Sequence, residues 1–214
     1  MSDYTIETIE KDNLRLTISY DTDAINPRED DDGMGSRMVC MHRKYNMPNE
    51  ENINFNDFYS WNEIEEQIRK DYDIAVLLKV FIYDHSGVSL STAKTCQFDS
   101  GQVGFIFITK PMVRQLRNCK YVTKKILEQE EQFLINQIEI YGKYMNGDVY
   151  GFQLEEAEIV QVTKTYSNGD EVVQKEKEYN EIDSCWGFYS IQDMKDNVSE
   201  KYHYIFDSLT RFII

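Results

Sequence analysis

The chain has 214 residues, enough for one domain whose core needs no disulfide or metal staple. Its 38 acids against 23 bases give a formal charge of −15, which excludes general binding to nucleic-acid phosphates. That balance fits a partner for a basic surface, or a mimic of nucleic acid. Cys40, Cys96, Cys119 and Cys185 are scattered with no C-x-x-C pair, and no leader or membrane-length apolar run is visible, so a cytoplasmic protein with free thiols is expected.

Leu14 to Tyr20 alternates apolar and polar residues and predicts a half-buried strand. Asp21 to Gly35 carries Pro27 and the acid run Glu29, Asp30, Asp31 and Asp32, the composition of a mobile loop. Arg37 to His42 reads as a short strand. Ser60-Trp61-Asn62-Glu63 is a capping box, and Trp61, Ile64, Ile68 and Tyr72 follow at helical spacing. Ile74 to Tyr83 and Val103 to Thr109 are apolar on both faces, as central strands are. Pro111 opens a helix to about Asn118, and a longer one follows with Leu127, Leu134, Ile138, Tyr141 and Met145 as its buried stripe. Val149 to Tyr166 and Glu171 to Tyr179 flank the turn Ser167-Asn168-Gly169-Asp170. Cys185 to Ser190 reads as a final core strand, and Ile191 to Phe212 as a closing helical segment. The expectation is an α+β fold in a single domain over residues 1–214. It has a mostly antiparallel central sheet, two or three helices on one face, an acidic strand and mobile loop over 1–36, and a protruding β-hairpin over 155–180.

Five polar-aromatic words interrupt these segments: Met41 to Asn46, Tyr83 to Gly87, Phe98 to Gly104, Gly147 to Phe152 and Asp183 to Phe188. Asp84 beside His85, closed by Ser86 and Gly87, suits a general base or metal ligand at a strand end, and equally a turn whose Asp and Ser bond nearby amides. Asp99, Ser100, Gln102 and Asp183 join them as a candidate pocket. Gly101 and Gly104 lead into a strand rather than a helix, which is the wrong order for a phosphate cradle and the right one for a bulge or close backbone crossing. Cys185-Trp186 has only His203 after it in the chain, and reads as a structural cysteine. No cofactor is expected. A divalent metal among His42, His85, His203, Asp84, Asp99 and Asp183 is the weaker alternative, with no H-x-x-x-H or H-x-H spacing behind it.

Lys110, Arg114, Arg117, Lys120, Lys124 and Lys125 form a basic island without an acid among them. Residues 1–32 hold ten acids against three bases. The island and the run Glu29 to Asp32 are the candidate partner-binding residues, the island doubling as a homodimer interface.

In combination, His42 to Asn46, Tyr83 to Gly87, Asp99 to Ile106, Asp148 to Phe152 and Asp183 to Phe188 resemble a family of uncharacterised proteins encoded by phages and prophages. The resemblance covers about Met38 to Phe188 and brings no activity with it. It implies an accessory protein working in the cytoplasm of a bacterial host. The leading expectation is therefore an inhibitor of a host defence factor of the restriction or CRISPR type, meeting a nucleic-acid-binding host protein through an acidic surface. The alternative is an enzyme or ligand sponge acting on a nucleotide or phosphoester around Asp84, His85, Asp99 and Asp183.

Overall fold

A computed structural model describes residues 4–29, 35–85, 87–94, 100–168 and 170–210. The chain folds into two compact units, one built from residues 1–24 and 147–214 and the other from 25–146. The second unit is thus an insertion in the first along the chain. The fold is α+β and every strand pairing in it is antiparallel, as expected from the sequence. The strands are shared between two sheets rather than gathered in one.

The inserted unit contains β3 (Arg37–Cys40), α1 (Trp61–Asp71), β4 (Ile74–Asp84), β5 (Val88–Ser91), β6 (Ser100–Thr109), α2 (Lys110–Leu116) and α3 (Lys124–Asn146). Its sheet runs β3-β6-β4-β5. The strand β6 is buried on both faces because alternate residues serve two cores. Phe105 and Phe107 meet Ile64 and Ile68 of α1, while Ile106 and Ile108 meet Leu134 and Ile138 of α3. Helices therefore cover both faces of this sheet, a correction to the expected one-sided packing. The doubly apolar pattern of β4 and β6 requires it. Each fully buried Phe, Ile or Leu contributes about 1.5–3 kcal/mol.

The start of α1 follows its capping box. Ser60 Oγ accepts from the Glu63 amide at 3.3 Å, and the Glu63 carboxylate accepts from the Tyr59 amide at 2.9 Å. Pairing of Val80 with Gly104 and of Phe81 with Gln102 leaves Val103 as a bulge. At the adjoining Gly104, a Cβ would lie 2.1 Å from the Val39 carbonyl oxygen, so β3 approaches as closely as only glycine allows.

The other unit holds β1 (Thr5–Lys11), β2 (Leu14–Tyr20), β7 (Tyr150–Thr165), β8 (Glu171–Phe188), α4 (Ile191–Asn197) and α5 (His203–Phe206), with a 3₁₀ turn at Glu200–Tyr202. Sheet order is β1-β2-β7-β8. Leu14, Leu16, Ile18, Phe152 and Leu154 pack on Met194, Val198, Ile205 and Phe206. The sequence pattern separates the second hairpin arm from a final core strand at Cys185. Instead one strand, β8, runs from Glu171 to Phe188 at the sheet edge, and Trp186 is 50% exposed. The closing helical segment is broken into short pieces, in keeping with its weak periodicity. Beyond Ala157, whose amide still reaches the Asn13 carbonyl, β7 pairs only with β8 among the described residues, so the hairpin continues as a two-stranded ribbon.

Candidate functional site

The words from the inserted unit meet at one end of its sheet. Met41 follows β3 and donates its amide to the Val103 carbonyl at 2.8 Å. The chain then places the His42 ring on Tyr45, centroids 5.1 Å apart. Lys44 Nζ lies 2.9 Å from Asp84 Oδ2 and 4.7 Å from the centre of the Tyr45 ring. Hydrogen bonds from Lys44, then Tyr45, hold the Asp84 carboxyl below the usual carboxylate range. Tyr45 and Asp84 in turn raise the Lys44 ammonium above its ordinary value. The Tyr83 and His85 rings stack at 6.1 Å.

The same word builds the β4–β5 turn. His85 donates its amide to the Gly87 carbonyl at 3.2 Å, Gly87 has φ +150°, and Val88 donates to Asn146 Oδ1 at 3.1 Å. Ser100 pairs with Tyr83, and Gln102 with Phe81. Successive strand residues face opposite ways, so Ser100 and Gln102 share the Tyr83 face while Asp84 lies on the other, opposite Val88. Ser100 is buried, and Gln102 Nε2 reaches the Gly104 carbonyl at 3.4 Å. Ser86, Asp99, Asp30, Asp31 and Asp32 lie outside the described residues. Glu29 is exposed, and its carboxylate accepts from Asn26 Nδ2 at 3.2 Å.

The remaining two words belong to the other unit and pair with each other. Gly151 faces Trp186, Phe152 faces Cys185 and Tyr150 faces Phe188. Asp183 stands opposite Leu154 in this sheet, whereas Asp84, His85, Ser100 and Gln102 belong to the inserted unit. A Cβ at Gly151 would lie 2.0 Å from Trp186 Cε3, so the indole covers the glycine backbone. Cys185 is a free, half-buried thiol, and the His203 ring Nε2 is 3.0 Å from the Val198 carbonyl oxygen.

Half of the basic island is neutralised locally. Lys110 lies 2.7 Å from Asp73, Arg117 2.6 Å from the buried Glu130, and Lys124 3.7 Å from Glu128. Arg114, Lys120 and Lys125 are exposed. Among the described residues no three His, Cys, Asp or Glu side chains gather closely enough to hold a metal ion, and no helix is long and apolar enough to cross a membrane.

Two charge clusters leave almost no trace in the sequence pattern. Arg28, 8% exposed, donates to Glu50 twice at 2.8 Å, to Ser36 Oγ at 3.0 Å and to Gln137 Oε1 at 2.7 Å. It pins the loop after Ile25 to β3 and α3; its one sequence signal is a lone arginine amid acids. On the sheet of the other unit, Arg15 forms a bidentate pair with the buried Glu155 at 2.6 and 2.8 Å and lies 3.8 Å over the Tyr179 ring. The hydrogen bond to Glu155 raises the Arg15 guanidinium further. Both clusters tie strands and loops together. No family model, characterised protein or solved structure matches the chain.

Proposed function

We propose that this protein is a phage-encoded accessory protein that binds and inhibits a host defence factor, docking an acidic surface on a basic, nucleic-acid-binding groove. The observation that carries the reading is the fate of the positive charge. Ion pairs at Lys44, Lys110, Arg117 and Lys124 each cancel one base against one acid of their own unit, so the chain's excess of −15 stands undiminished after them. Such a surface favours encounter with a basic groove and repels nucleic acid itself. Binding rather than turnover also accords with the candidate pocket residues. Asp84 is held by Lys44, and Ser100 and Gln102 lie on the opposite sheet face.

The test is phage plating on bacterial strains that each carry one defined restriction or CRISPR system, with and without the protein. Expected is a rise in plating of several orders of magnitude on at least one strain, lost when Glu29, Asp30, Asp31 and Asp32 are changed to amides. No rise on any strain overturns the proposal; a rise that survives the amide changes overturns docking through this acid run.

A further inference from the structure

The open edge of β8 is the most extended unpaired backbone among the described residues of its unit. It carries a pattern that fits itself. We infer that the protein forms a two-fold dimer by antiparallel pairing of β8 with β8 of a second copy, centred on Tyr179. This goes beyond the proposed function and stands whatever the target is.

The backbone settles which residues are available. Ala157 donates its amide to the Asn13 carbonyl at 2.7 Å, away from β8. Its rung partner is Tyr179, so Tyr179 turns its own N–H and C=O to the open edge, and by alternation Lys177 and Glu181 do the same. On the hairpin side the Tyr166 amide donates to Asp170 at 2.8 Å, which puts the even-numbered rungs of β8 toward β7. The regular stretch ends at Glu181, because pairing of Leu154 with Asp183 and Glu155 with Glu181 leaves Ile182 bulged.

Charge then selects the register. With Tyr179 opposite Tyr179 of the second copy, Lys177 faces Glu181 of the second copy on both sides of the axis, and Glu178 faces Asn180. No like charges meet. Moving the axis one residue toward the turn sets Glu178 against itself, and two residues sets Lys177 against itself, which disfavours both. Moving it the other way brings the bulged Ile182 into the ladder. An isologous contact needs a self-complementary patch, and Lys177 to Glu181 is one. Pairing there also removes an exposed edge that invites uncontrolled association.

The experiment is sedimentation equilibrium on the full chain, with Lys177→Glu, the Lys177→Glu/Glu181→Lys double exchange, and Tyr179→Cys. Lys177 is exposed, so its reversal leaves the fold intact by circular dichroism. Expected is a wild-type dimer whose dissociation constant rises about tenfold or more in Lys177→Glu and recovers in the double exchange. The Tyr179→Cys protein should form an intermolecular disulfide on mild oxidation, since the axis brings that position against itself. A monomeric wild type, a Lys177→Glu protein with an unchanged dissociation constant, or a dimer in which Tyr179→Cys does not cross-link each overturns the inference.

Discussion

Lys44 and Asp84 close on each other at 2.9 Å, joining the loop after β3 to the end of β4. The carboxylate of the most reactive-looking word of the sequence is thereby paired with a local partner. Side-chain exposures of 61% and 34% keep this pair in high dielectric, so its contribution is one of geometry more than stability.

Asp84 should accordingly titrate below the ordinary carboxylate value, and Lys44→Ala should move it back up. The folded value is depressed, so what the pair contributes is present above the ordinary value of 3.8 and is lost as pH falls through the folded value. A side-chain NMR titration of both proteins reads this directly. An Asp84 midpoint unmoved by Lys44→Ala would assign the shift to another group.

Alkaline titration should show the opposite sign. Tyr72 is pushed up to about 12 by its hydrogen bond to Glu51 and then by burial. Tyr141 and Tyr150 rise to about 12 chiefly by burial. Folded values above the ordinary 10.0 mean stability that is full below that pH and lost as pH rises toward about 12. Ultraviolet difference titration should find these phenols ionising late, with Tyr72 moving earlier in Glu51→Gln.

Gly104→Ala should cost about 3 kcal/mol or more, because its methyl would meet the Val39 carbonyl and Cys40 in a strand buried on both faces. Gly101→Ala, with nothing within 4 Å of the new methyl, should change stability by no more than about 1 kcal/mol. Urea midpoints of the two variants give the comparison.

Arg28→Met should destabilise the protein by about 3–5 kcal/mol, since it leaves the partly buried Glu50 carboxylate without its cation and removes one donor each from Ser36 Oγ and Gln137 Oε1, the latter keeping only its bond from Ser36. Arg28→Lys should fall between that variant and wild type, because an ammonium cannot span both Glu50 oxygens. Calorimetric unfolding of the two variants measures the order.

The helices that carry capping boxes or strong stripes are legible in the sequence. The Ser60 cap and the stripe of Trp61, Ile64, Ile68 and Tyr72 reappear as the packed face of α1. Gly104 is legible as a close crossing. Neither β1 nor β5 is, since Thr5 to Lys11 and Val88 to Ser91 are short edge strands with weak alternation. Trp186 reads as core because it is large and apolar; on an edge strand over Gly151, half of it meets solvent.

Local chemistry therefore determined the types of the longer elements, the turn at Asn168, the caps, the acidity and the doubly buried strand β6. Each depends on residues a few positions apart. Only the tertiary structure decided that β2 pairs with β7 across the whole inserted unit, from Leu14 opposite Glu156 to Tyr20 opposite Tyr150. That pairing divides the five polar words between two units and makes β8 an edge. Strand partners are chosen by burial and backbone hydrogen bonding between distant segments, and short-range periodicity carries no record of that choice.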